Sequence, residues 1–182
     1  MRVVLILGAL LSAARPAPAQ DTTVSPYPPR GAHSSAVGAR YDARHDKTVL
    51  TLSPLALDSA IAVSVLVALD GREMPRTPAD GVVLTFWSTA SGKRFEPNRS
   101  ISVSINDARP DSLGSGWLVP KPAPGYTEVM MRSVPLAMWL RIANANKLTL
   151  NVAGYAYAVA PELLGAIRDF ASRMAPGATA GP

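Results

Sequence analysis

The chain has 182 residues, a formal charge of +5 and no cysteine. The missing cysteine excludes disulfides, thiolate zinc sites, cysteine nucleophiles, iron–sulfur clusters and a cysteine-linked lipid anchor. The positive excess is scattered (Arg40, Arg72, Arg94, Arg109, Lys121) and not gathered into a patch, which argues against a nucleic-acid partner.

Residues 1–20 have the pattern of a secretory signal peptide. Arg2 precedes an apolar run over 3–11, broken only by Gly8, and Ala17-Pro18-Ala19 fits the small-x-small cleavage rule. The cut is expected after Ala19 or Gln20. As a helix, residues 3–14 would span about 18 Å, short of the roughly 30 Å of a bilayer core, so a retained anchor is the weaker alternative. No later apolar run reaches membrane-spanning length, and no integral span is expected after cleavage. The address is periplasmic or extracellular.

Residues 21–36 contain Pro26, Pro28, Pro29 and Gly31 with few apolar anchors, and are expected to form a disordered tether. A single β-rich domain is expected over 37–175. Residues 37–42 and 47–53 flank the polar 43–46 and predict a hairpin. Residues 61–69 alternate, with Ile61, Val63, Val65, Val67 and Leu69 on one face. The other face holds Ala62, Ser64, Leu66 and Ala68, which suggests cover on both sides. Residues 82–87 form a further strand, with a short one expected around 93–96. Residues 101–105 alternate most cleanly, serines outward. The stretch to Gly125 is rich in Pro and Gly and is expected as loop or irregular edge. A strand resumes over 126–132.

Leu136, Trp139, Leu140 and Ala143 then mark a helical stripe after Pro135. Residues 147–152 and 155–159 form a hairpin around Ala153-Gly154. A last helix opens at Pro161, with Leu163, Ile167, Phe170 and Met174 as its stripe. A disordered tail is expected over 176–182. The fold class is mainly β (α+β): an antiparallel β-sandwich or curved sheet with one inserted helix and a C-terminal helix packed on it. The expected core is Leu50, Leu52, Val63, Val65, Val67, Leu84, Phe86, Ile101, Val103, Ile105, Trp139, Leu140, Leu148, Leu150, Ile167 and Phe170.

Two groups of residues are candidate binding positions. Asp42, His45 and Asp46 lie within five residues, a composition that suits a metal or acid–base site. The same residue types also satisfy turn backbone, and His33 is the only other histidine. Trp87 and Trp117 are candidate stacking platforms for sugar rings; Trp139 falls on a core stripe. No Gly-x-Ser-x-Gly elbow, paired-carboxylate context or phosphate loop is present, so no catalytic residue, metal or cofactor is assigned.

Tyr41-Asp42 leading into Lys47-Thr48-Val49, Phe86-Trp87-Ser88 before Arg94-Phe95, and residues 140–145 ahead of a hairpin and residues 167–171 form a pattern over 40–174. In these segments the chain resembles a group of secreted bacterial β-rich proteins of unknown function. The resemblance implies an exported β-rich domain and no catalytic residues. The expected function is a non-enzymatic binding or scaffolding domain of the cell envelope, with an envelope protein or polymer as partner. The alternatives are a metal-dependent or hydrolytic enzyme at Asp42, His45 and Asp46, and a polysaccharide-binding module using Trp87 or Trp117.

Overall fold

The computed structural model describes residues 25–27, 29, 31–72 and 80–174. The leader expected at 1–20 and the tail expected at 176–182 lie outside them. Two antiparallel sheets and two helices make up the fold, which is mainly β. No helix among the described residues is long and apolar enough to cross a membrane.

The first sheet begins as a meander: β1 (Ser25–Tyr27), β2 (Val37–Asp42), β3 (Lys47–Ala56), β4 (Ile61–Asp70) and β5 (Gly81–Ser88). The chain then crosses to a second sheet through β6 (Ser100–Ile105) and β7 (Asp111–Ser115). It returns with β8 (Trp117–Leu118) and β9 (Glu128–Pro135), runs through α1 (Leu136–Ala143), and adds β10 (Leu148–Val152) and β11 (Tyr155–Ala158) to the second sheet. α2 (Pro161–Met174) closes the fold. The spatial orders are β1-β2-β3-β4-β5-β9-β8 and β11-β10-β6-β7.

Alternation sorts each strand by face. Val63, Val65, Val67, Leu84 and Phe86 of the first sheet share one buried cluster with Ile101, Val103, Leu148 and Leu150 of the second. Both helices contribute to it, and Trp139 meets Phe170 edge-on, with ring centroids 6.0 Å apart. The expected core residues are buried except Ile105 and Leu140, which are half-buried. In α1 the buried residues are Trp139, Ile142 and Ala143. α2 buries Leu164 where Leu163 was expected to lead the stripe, and it also buries Ala166, Asp169, Ala171 and Arg173. A helix enclosed on so many sides reads poorly as a single stripe.

Three local expectations change. The Pro/Gly-rich stretch contains β7 and β8, because Gly116 lets the chain turn the corner between the sheets. A Cβ there would lie 2.5 Å from the Met130 side chain and 3.1 Å from the Met131 carbonyl oxygen. No strand forms at 93–96, whose amides have a different acceptor, described below. In the segment expected as a tether, Ser25–Tyr27 pairs with β2, and the His33 side chain is 1% exposed. His33 rests on α2 at Gly165, an anchor that composition alone does not reveal.

The β10–β11 turn holds Ala153 at φ 56 and Gly154 at φ 86. A two-residue hairpin turn of this hand favours Asn or Gly at both positions. Ala153 therefore carries left-handed strain of about 1 kcal/mol. Ala153 is also buried, so Ala153→Gly is expected to leave stability within about 0.5 kcal/mol of wild type, the relief being offset by the lost methyl and the added unfolded-state entropy. An unchanged urea midpoint and slope is the readout.

Candidate functional site

The β2–β3 hairpin closes at the pair Asp42↔Lys47, leaving 43–46 as its loop. Asp42 Oδ1 accepts the Arg44 backbone N–H at 3.0 Å, and Oδ2 lies 2.7 Å from His45 Nδ1. The His45 hydrogen bond is the main reason the Asp42 carboxyl titrates below its ordinary value. Asp46 turns away from that pair. Its backbone is left-handed (φ 49), its Oδ1 accepts the Tyr41 hydroxyl at 2.7 Å, and its carbonyl accepts the Gly71 N–H. Tyr41 is raised in consequence, chiefly by that hydrogen bond.

The two carboxylates thus serve different partners, and the His45 side chain is 72% exposed. This is a satisfied turn projecting into solvent. Among the described residues, no three His, Asp or Glu side chains gather as a metal site.

Trp87 and Trp117 share one sheet face, without touching, although the sequence did not bring them together. On β5, Phe86 faces the core, so Trp87 faces out. Trp117 pairs with Met131, which pairs with Thr85, placing Trp117 on that same outer face. Two strand spacings and two residues separate the tryptophans, about 12 Å between Cα atoms. Trp87 Nε1 donates to Ser64 Oγ at 2.9 Å, and its ring packs on Tyr126 with centroids 4.7 Å apart. Trp117 projects, with 44% of its surface exposed.

The rest of this face is unusual for a sheet's outer side. Its positions are Val49, Thr51 and Ser53 on β3, Ala62, Ser64, Leu66 and Ala68 on β4, and Val83, Thr85 and Trp87 on β5. Val129, Met131 and Ser133 on β9 complete it with Trp117. None is charged. The Lys47–Asp70 ion pair marks one end and Arg40 on β2 one side. The second sheet is the internal control. Its outward positions on β6 and β10 are Ser102, Ser104, Thr149 and Asn151, as a solvated face requires. The cover expected over Leu66 and Ala68 is absent among the described residues: Leu66 is half-buried and Ala68 exposed. Both helices instead add to the shared core on the inner side. The signal for this face was the apolar alternation itself, which reads equally as double burial.

Two polar arrangements escaped the sequence reading. The Glu128 carboxylate, 6% exposed, accepts the backbone N–H groups of Arg94, Phe95 (3.0 Å) and Glu96 (2.9 Å). These amides point at a carboxylate, not at a ladder partner, so residues 93–96 form no strand. In α2, Arg173 donates to Asp169 through Nε (2.8 Å) and Nη2 (3.0 Å), both residues being buried. His33 Nε2 stands 3.3 Å from Asp169 Oδ2, close enough for an ion pair but off the hydrogen-bond direction.

At the same end as Glu128, Arg94 lies over the Tyr155 ring at 5.2 Å, with Nη1 3.8 Å from Asp58 Oδ2. Burial raises the Tyr157 hydroxyl beside them, with Asp58 adding and Arg94 opposing. This cluster ties the β3–β4 turn to the second sheet. Comparison of the chain with protein-family models, curated proteins and solved structures returned no match.

Proposed function

We propose that this chain is an exported, non-enzymatic binding or scaffolding domain of the cell envelope, acting through the outer face of its seven-stranded sheet. One observation carries the reading: the outward positions of five neighbouring strands are uncharged and largely apolar, with Trp117 and Ala68 exposed among them, while the outward positions of the second sheet carry Ser, Thr and Asn. An apolar sheet face of this kind is a common place for a partner to bind. Strands fix it rigidly, so little ordering entropy is lost on contact. Export is supported by the leader pattern of residues 1–20.

The enzymatic alternative at Asp42, His45 and Asp46 draws no support from an exposed turn whose carboxylates point to separate partners. The polysaccharide alternative has one observation in its favour, the shared face of Trp87 and Trp117. Its difficulty is that the polar groups nearest Trp87 are engaged or covered: Ser64 is bonded to Trp87, and Thr85 is buried. Sugar hydroxyls covered there would lose hydrogen bonds.

The test is site-specific photocrosslinking in an expressing bacterium. A photoreactive side chain at position 83 or 117 is expected to give a defined adduct in the periplasmic fraction. The same group at exposed position 96, away from the face, is expected to give none. Absence of any adduct at 83 and 117 would remove the reading.

A further inference from the structure

We infer that β11, an edge strand of the second sheet, takes an extended polypeptide segment of a partner protein by antiparallel strand addition. This edge is separate from the outer face of the first sheet, and the inference does not depend on that face.

The ladder register shows which backbone groups the edge leaves open. Asn106 N–H donates to the Lys147 carbonyl and Ala153 N–H to the Ser100 carbonyl, both at 2.9 Å. In the register Leu148↔Ile105 to Val152↔Ile101, these bonds direct the backbone of Thr149 and Asn151 toward β6. Val159 N–H donates to the Leu148 carbonyl at 2.9 Å, so Leu148, Leu150 and Val152 bond toward β11. Tyr155 and Tyr157 complete those bonds. Ala156 and Ala158 alternate with them and direct both N–H and C=O away from β10, to the open side. Among the described residues no strand pairs with that side.

The other three sheet edges are blunted. The middle residue of β1 is Pro26, which has no N–H. The β6–β7 register slips between Ile101 and Ser102, and the Ser115 carbonyl of β7 accepts Arg132 Nη1 at 3.1 Å. β8 has two residues. β11 is short, but it has none of the proline, charge or bulge that keeps an edge from pairing.

Side chains specify the occupant. An added antiparallel strand sets its residues opposite Tyr155 and Tyr157 in non-hydrogen-bonded pairs, where side chains approach closest. Tyr155 is 51% exposed there, with Arg94 over its ring, which suits a β-branched or aromatic neighbour. Residues opposite Ala156 and Ala158 fall on the solvated side, in line with Thr149 and Asn151, and are polar. The occupant therefore alternates polar with β-branched or aromatic residues. The chain's own residues 175–182, with Pro176, Gly177, Gly181 and Pro182, lack that pattern. A second copy's β11 puts alanine where the pattern is polar, and it ends where Gly154 turns and Pro161 opens α2. A free segment runs on past both ends.

The test uses the protein purified from an expressing bacterium and a short synthetic peptide of alternating threonine and valine, in two forms. Methylating the valine amides stops the peptide pairing with itself and leaves the threonine amides to bond Ala156 and Ala158. Methylating the threonine amides removes the bonding edge. With the first form, nuclear magnetic resonance is expected to show shifts at residues 154–160. Exchange of the Ala156 and Ala158 amides is expected to slow about tenfold at a peptide concentration about ten times the dissociation constant. A few backbone bonds and one covered ring set that constant on the order of 0.1–1 mM. The second form is expected to bind more weakly by about tenfold or more. Ala158→Pro deletes one edge donor and is expected to weaken the first form about tenfold. Circular dichroism checks its fold; if it unfolds, the two peptide forms on wild type carry the comparison.

No shift at Ala156 and Ala158 with the valine-methylated peptide would overturn the inference, as would equal binding of the two forms. A concentration-dependent dimer in sedimentation velocity, with exchange protection confined to β11, would overturn it in favour of a second copy.

Discussion

Replacing Glu128 with alanine is expected to lower the unfolding free energy by about 4 kcal/mol, near the upper limit for a single substitution. The carboxylate is the acceptor for three backbone N–H groups of residues 94–96, the Phe95 contact buried and the other two half-buried. Each buried donor left without an acceptor costs about 1–3 kcal/mol. Phe95, 1% exposed, is seated by the same contacts, so its packing loosens with them. Glu128→Gln keeps one acceptor oxygen but points an N–H₂ group at amide donors, and is expected to cost about 2 kcal/mol. Glu96→Ala, at an exposed neighbour, is the control and should stay within about 0.5 kcal/mol. Urea unfolding measures all three, and hydrogen exchange at the amides of Phe95 and Glu96 locates the damage. A loss under about 1 kcal/mol for Glu128→Ala would show that the loop finds other acceptors.

The Asp169–Arg173 pair is expected to behave asymmetrically. Asp169→Ala strips a bidentate carboxylate from a guanidinium that is buried in α2, and a loss of about 4 kcal/mol is expected from breaking a buried ion pair at one member. Replacing both members, as Asp169→Leu with Arg173→Met, removes the charges together. That double variant should recover to within about 2 kcal/mol of wild type. A double-mutant cycle by urea unfolding reads the coupling directly. Additive losses would mean that each charge is held by its own surroundings and not by the other. His33 contributes from the N-terminal segment, with its ring against Gly165 and Nε2 near the carboxylate. The pair thus fastens that segment to the terminal helix.

The architecture was largely legible because period-two and helical patterns are local. Residues 37–42, 61–69 and 101–105 formed strands at those positions within a residue, and both helices began where Pro135 and Pro161 suggested. The site-forming contacts were not legible, because they join distant segments. Glu128 bonds amides more than thirty residues earlier, and nothing near it distinguishes that glutamate from a surface one. Asp169 and Arg173 have the i, i+4 spacing of an exposed helical ion pair, and only tertiary packing buries them. The common face of Trp87 and Trp117 depends on β8 and β9 joining the first sheet after a detour through the second. Strand order of that kind leaves no local trace. The Asp42, His45 and Asp46 segment was the reverse case: sequence proximity suggested convergence, and the hairpin turned Asp46 away.

That detour has a consequence for how the chain reaches its native state. β1 to β5 pair with near neighbours and form early, but β5 waits for β9 and β6 waits for β10, each more than forty residues downstream. Neither sheet is complete until the last third of the polypeptide is available. Contacts this distant in sequence slow folding toward milliseconds to seconds. The early meander therefore keeps an unpaired β5 edge until β9 arrives, and commitment to the compact form comes late.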